Sequence, residues 1–250
     1  MGATVCEAVA ADAELELVAA VDPQKAGLDL REAIGVDAPG VRVASEAGAL
    51  ADADAHVAVD FTHLDAARAN LRWCAEHGVH AVVGTTGFEA DDYAELTTRF
   101  NESNCIVAPN FAVGAVLMMR FAELAAPWFE TAEIIELHHD QKIDAPSGTA
   151  MLTVERMAAA SDDWAPDPTT TIVVEGTRGG VGAGGIRVHS VRLRGIVAHE
   201  EVLLGTAGQS LSIRHDSYDR TSYMPGVLLA IRAVRERPGL TIGLDPLLGF

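Results

Sequence analysis

Between Glu136 and Thr149 the chain reads E-L-H-H-D-Q-K-I-D-A-P-S-G-T, its densest run of side chains able to move protons or hold charge. Histidine exchanges its proton near neutral pH. His138 followed by Lys142 therefore suits proton donation combined with recognition of an anionic substrate. Lys142 is one of only two lysines, the other being Lys25. Gly148 and Thr149, at the start of a helix, offer backbone N–H groups and a hydroxyl to a carboxylate. A metal site is not expected. Consecutive histidines at a strand end point to opposite faces, and no cysteine stands nearby. An arbitrary His-His pair is more often part of a solvated polar loop. Here the spacing to Lys142, Ser147, Gly148 and Thr149 favours the chemical reading.

The elements around this run must hold it in place. Residues 133–139 (EIIELHH) alternate as a strand, and a helix is expected over 147–160 with Ser147 as its N-cap. Upstream, an apolar helix is expected over 112–126, ended by Pro127. Short apolar runs at 15–21, 55–61, 79–84 and 104–108 read as buried strands, with helical stretches at 64–76 and 89–100. Strand and helix in alternation imply a parallel sheet, whose ligands bind at the carboxyl ends of the strands. Those ends are Asp22, Phe61-Thr62-His63, Gly84-Thr85-Thr86 and Pro109-Asn110-Phe111. From 169 to 217 strand-like runs follow without long helices, around a glycine cluster at 179–185 that reads as a loop. A helix over 223–234 and a strand over 240–244 close the chain. The expected fold is α/β: a Rossmann-like dinucleotide-binding domain (1–110 with 220–250), then an α+β domain built on an open mixed sheet (111–219).

Composition narrows the partners. The 250 residues carry 18 Lys plus Arg against 36 Asp plus Glu, a net charge of −18, and 49% of them are hydrophobic. Such a chain can bury a core, and its field repels nucleic acid and anionic membrane surfaces. No apolar run approaches the roughly 18 residues of a membrane span, and no signal peptide opens the sequence. Cys6, Cys74 and Cys105 are odd in number and share no metal-type spacing. They read as small buried hydrophobes in a reducing cytoplasm.

The segment Glu136 to Ala150, E-L-H-H-x-x-K-x-D-A-P-S-G-T-A, resembles the signature of the 4-hydroxy-tetrahydrodipicolinate reductase family, long called dihydrodipicolinate reductase. The resemblance runs through V-D-F-T-H (59–63), V-V-G-T-T-G-F (82–88) and A-P-N-F-A-V-G (108–114). It continues through R-G-G (178–180), V-H-S-V-R-L-R-G (188–195), H-E-E-V (199–202) and R-T-S-Y-M-P-G (220–226). It implies hydride transfer from NADH or NADPH to a cyclic unsaturated imine dicarboxylate, giving tetrahydrodipicolinate with loss of water, in lysine and diaminopimelate biosynthesis. By this resemblance His138 is the proton donor or acceptor and Lys142 a second donor. His139, Gly148 and Thr149 hold the substrate carboxylates. Gly84, Thr85 and Thr86, with Ala108, Pro109, Asn110 and Phe111, line the nicotinamide and its ribose. Asp22 meets the adenine ribose hydroxyls, where an acidic residue favours NAD over NADP. The resemblance also implies a homotetramer assembled through the second domain's sheet, for which the apolar alternation at 190–196 and 202–204 is suitable.

Two departures from the family pattern matter. The family opens with a strand and a G-x-x-G-x-x-G phosphate loop, whereas this chain opens Met1-Gly2-Ala3-Thr4-Val5, with Gly2 fitting the last glycine. The expectation is a sheet with a gap and unpaired neighbouring strands, from a start placed too late. At Asp140-Gln141, where relatives often carry a basic residue or histidine, local positive charge is lower. Three other readings compete. Another Rossmann-type dehydrogenase would not need H-H-x-x-K-x-D-A-P-S-G-T. A truncated, inactive relative that only assembles with other subunits draws on the lost loop alone. A ligand-binding regulator would not need His138 and Lys142.

Overall fold

The first of two compact units comprises Met1–Phe111 and Tyr223–Phe250. In the computed structural model, which describes residues 1–250, it begins with α1 (Gly2–Ala11), β1 (Ala20–Val21), α2 (Leu30–Ile34), β2 (Val43–Ala44) and α3 (Gly48–Asp52). There follow β3 (Val57–Asp60), α4 (Leu64–Glu76), β4 (His80–Val83), α5 (Ala90–Arg99) and β5 (Cys105–Val107). Caps set the helix starts. The His63 ring accepts the Ala66 N–H at the head of α4, and Glu89 with Asp92 forms a capping box at the head of α5, which satisfies amide groups that have no partner inside the helix.

The second unit, Ala112–Ser222, contains α6 (Val113–Ala125), β6 (Thr131–His138), α7 (Gly148–Ala160), β7 (Gly180–Val181), β8 (Arg187–Arg192), β9 (Ala198–Thr206) and β10 (Gln209–Ser217). The chain then re-enters the first unit with α8 (Met224–Ala233), β11 (Leu240–Ile242) and α9 (Asp245–Leu248).

In the first unit, β11, β5, β4 and β3 form a parallel sheet in that order. Its core packs Leu71, Val83, Phe100 and Val107 beneath α4 and α5. This is the expected Rossmann-like architecture. The first strand is shorter than the 15–21 expectation. Only Ala20 and Val21 pair, with Val43 and Ala44, in a separate two-stranded sheet. A cavity of about 900 Å3 lies beside β1 and β3, lined by Val5, Val9, Leu17, Ala19, Val57 and Val59 among others. Leu15 to Ala19 face this space with no strand beside them, so the ladder that would fix them as strand does not form. This is the gap in the sheet that the sequence leads one to expect.

In the second unit the sheet order is β10-β9-β6-β8-β7. β6 and β8 are parallel and the other pairs antiparallel, which makes it the expected mixed sheet. The glycine cluster at 179–185 is not one loop. Gly180 and Val181 pair with Val188 and Arg187 as an edge strand, and a short 3-10 turn follows. Val202 and Leu204 are fully buried within their own unit. Val202 and Leu204 therefore build this unit's core, while Leu203 between them lies on the opposite, half-buried face.

Candidate active site

The strand β6 carries Glu136 and His138 two residues apart, hence on one face. Glu136 is completely buried, and the His138 Nδ1 lies 2.6 Å from its Oε2. Arg192, on neighbouring β8 and in register with His138, donates from Nη2 to Glu136 Oε1 (2.8 Å) and from Nη1 to Oε2 (2.9 Å). The same Nη2 donates to the Asp144 carbonyl at 2.6 Å. Asp144 in turn receives the Lys142 ammonium on both carboxylate oxygens, each at 2.8 Å. The structure thus brings His138 and Lys142 into one network.

Burial pushes the His138 pKa down. Hydrogen bonding and charge from Glu136 oppose this, while Lys142 and Arg192 add to it. Burial also works to raise the Glu136 carboxyl, but donors on Arg192, Ser190 and His138 hold it below its ordinary value. Opposite Glu136, across the β6–β9 register, stands Glu200. Burial raises it to about 7, against the hydrogen bond from Thr153 and with the charge of Glu136. Thr153 Oγ1 lies 2.6 Å from Glu200 Oε1 and 2.9 Å from the Thr149 carbonyl. One hydroxyl proton cannot serve both acceptors. A protonated Glu200 donating to Thr153, which donates to Thr149, satisfies every group.

The loop from β6 to α7 turns through a cis Ala145–Pro146 bond. Ser147 then caps α7 by accepting the Ala150 N–H at 3.2 Å, as expected. Gly148 is exposed, with open space where a side chain would be. His139 is also exposed, and its backbone N–H donates to the Val197 carbonyl. Asp140 is held by Arg194 at 2.7 Å, which offsets the acidic departure noted in the sequence.

In the first unit the strand ends do gather short polar groups. Asp60, 7% exposed, accepts from Thr62 N–H, Thr62 Oγ1, Thr85 Oγ1 and Asn70 Nδ2 at 2.7–3.0 Å. Sequence reasoning quoted Asp60 within V-D-F-T-H but gave it no role. It clamps the ends of β3 and β4 together. Gly84 has a physical reason: a Cβ there would lie 2.0 Å from the Phe61 ring. Phe61 in turn packs on Phe111. Thr86 and Pro109 are exposed and Asn110 half-buried, but the Ala108 and Phe111 side chains are core, so any ligand contact there is through backbone. Asp22 ends β1, its Oδ1 accepting the Gln24 N–H.

A nicotinamide dinucleotide fits this edge. The residues at the end of β4, Gly84 to Thr86, are small or hydroxylated, Asp22 has a second oxygen for a ribose hydroxyl, and the first N–H groups of α1 have no side-chain cap. Those amides suit a pyrophosphate, with Gly2 opening the helix. No group of three or more His, Cys, Asp or Glu side chains is arranged to hold a metal. Sequence reasoning missed Glu136, Arg192 and Glu200 as parts of the site. The alternation of Glu136 and His138 along one strand was the signal available for the first.

Comparison with known proteins agrees with this geometry. Residues 1–111 match the family described as dihydrodipicolinate reductase, N-terminus, and residues 114–248 match dihydrodipicolinate reductase, C-terminus. The 4-hydroxy-tetrahydrodipicolinate reductase of Mycobacterium marinum is 49% identical over all of this chain and 95% of its own length. That of Cutibacterium acnes is 48% identical with the same coverage. A dipicolinate-bound dihydrodipicolinate reductase from Paenisporosarcina sp. TG-14 superposes with a TM-score of 0.85 at 40% identity, covering 97% of this chain and 93% of that one. An amine dehydrogenase from Mycobacterium smegmatis (TM-score 0.64, 17% identity, covering 96% and 92%) shares the fold alone. The chain belongs to the dihydrodipicolinate reductase family, whose members are also named 4-hydroxy-tetrahydrodipicolinate reductases.

Proposed function

We propose that the chain reduces 4-hydroxy-tetrahydrodipicolinate to tetrahydrodipicolinate in lysine and diaminopimelate biosynthesis, with His138 and Lys142 as its proton donors. The observation that carries the residue assignment is the continuous network from His138 through Glu136, Arg192 and Asp144 to Lys142. The reduced nicotinamide cofactor supplies the hydride. His138 gives the proton that balances the electron pair arriving on the conjugated imine. Lys142 stands beside it as a second donor and a cation for substrate carboxylate. Gly148 and Thr149, at the N-terminus of α7, and His139 hold the two carboxylates. In a chain of net charge −18, attraction of a dianion must come from these local groups.

Gly84 to Thr86 and Ala108 to Phe111 take the nicotinamide end, and Asp22 takes the adenine ribose. A carboxylate repels the 2′-phosphate that distinguishes NADPH, so NADH is the preferred cofactor. The first unit thus serves as the dinucleotide-binding domain and the second as the substrate-binding and tetramerisation domain. The homotetramer reading draws on the β6–β8–β9 face opposite Glu136, where Ile135, Leu137, Val191 and Leu203 are half-buried. A cytoplasmic location accords with three unbridged cysteines, and no helix is long and apolar enough to cross a membrane. The test is the loss of absorbance of NADH and of NADPH after adding substrate made in situ by the preceding synthase. Oxidation with the larger kcat/KM for NADH is expected. Strict NADPH dependence would remove Asp22 from the ribose site.

A further inference from the structure

We propose that Glu136 and Arg192 are a buried positioning pair that fixes the His138 imidazole and the Lys142 loop as one unit. The inference rests on the reading of His138 and Lys142 as proton donors and goes beyond it by naming what holds them. Glu136 has no exposed surface, and both its oxygens are engaged. A buried carboxylate with one partner removed is strongly destabilising, so the bidentate fork of Arg192 is what allows a charge to sit under His138. Glu200, facing Glu136 from β9, cannot be ionised beside it at little cost. Burial disfavours a charge on Glu200, while Arg192 favours one on Glu136, so the negative charge of the pair belongs on Glu136.

With Glu136 accepting from Nδ1, the neutral imidazole is the Nδ1–H tautomer, and Nε2 is the nitrogen left to exchange a proton with substrate. Arg192 does a second task. Its Nη2 also holds the Asp144 carbonyl, and the Asp144 carboxylate holds Lys142. The five residues come from two strands and one loop, and each link in the chain is 2.6–2.9 Å long. The charged groups acting on His138 are Glu136 on its own strand, Arg192 on β8 and Lys142 on the loop, with Glu200 on β9 facing Glu136 and Asp144 holding Lys142.

Three variants and one wild-type measurement test the pair. In Glu136→Gln the carboxylate that favours the imidazolium is gone. The basic limb of kcat/KM should move to lower pH, and kcat should fall by up to about 10⁴-fold, the loss when the carboxylate that orients a catalytic histidine is replaced by its amide. Arg192→Lys keeps a charge for Glu136 but cannot span both its oxygens and the Asp144 carbonyl. It should raise KM for substrate more than it lowers kcat. Histidine 15N NMR of the wild type, with the His138 signals identified by their loss in His138→Gln, should show the proton on Nδ1 at high pH. An Nε2–H tautomer in the wild type, or a Glu136→Gln limb that does not move, overturns the proposal. The NMR result decides alone if Glu136→Gln does not fold. Wild-type turnover in His138→Gln would defeat the underlying reading instead. An inactive His138→Gln beside an unmoved Glu136→Gln limb would defeat the positioning pair only.

Discussion

His138 sits between opposed influences: burial and two nearby cations expel its charge, and Glu136 attracts it. Burial wins, so its pKa is below the ordinary histidine value. The sign follows directly. A donor must be protonated, and a lowered pKa means the imidazolium is lost at lower pH, so kcat/KM should fall as pH rises through a midpoint below 6.5. A pH–rate profile with its basic midpoint above that value would contradict this. Lys142→Ala should reduce both kcat and substrate affinity, since the ammonium both donates and binds; steady-state kinetics with normal kcat and KM would remove Lys142 from the site. His138 and Lys142 stood out in the sequence because residue type and spacing in one short segment suggest that chemistry. Arg192 was not, because its partners Glu136 and Asp144 lie 56 and 48 residues away. Only the pairing of β6 with β8 brings them together.

At the scale of elements, the helices and strands from β3 to β5 were readable from their apolar runs and the helical stretches between them, local patterns that the core under α4 and α5 then uses. The short pieces α2, β2 and α3 gave no such signal. They run from two to five residues, and their form depends on distant pairing such as Val21 with Ala44. β1 is the instructive case. Its 15–21 segment has the composition of a strand, yet only the two residues with a neighbour adopt one. Gly84→Ala should lower stability by about 1–3 kcal/mol, the usual cost of overpacking, because its Cβ would meet Phe61 at 2.0 Å. Thermal unfolding checks this, and an unchanged Tm would mean that Phe61 moves freely. Glu200 makes a further prediction. Its folded pKa of about 7 lies above the 4.5 of an ordinary glutamate. Its contribution to stability is therefore full below 4.5 and lost as pH rises through about 7. Glu200→Gln, which keeps a donor for Thr153, should gain Tm over the wild type between pH 5 and pH 8. A Tm difference independent of pH would show that Glu200 is ionised throughout.

For the whole molecule, the charge of −18 and the division into two units were both accessible from composition and the change of rhythm near residue 110. The gap beside β1 was expected from the sequence as well, whereas the burial of Val202 and Leu204 was not, because it depends on which strands find partners. If the half-buried face of the second sheet joins copies, light scattering should give about four times the chain mass of 26.3 kDa. A monomer at micromolar concentration would contradict that assembly. On the function proposed above, this reductase takes its proton from His138. The most direct test compares initial rates of substrate-dependent NADH oxidation in the wild type and in His138→Gln, with circular dichroism to match their folds. Oxidation by the wild type and a loss of roughly 10²–10⁴ in turnover for the variant are expected. A variant as fast as the wild type, or a wild type with no substrate-dependent oxidation, would contradict it.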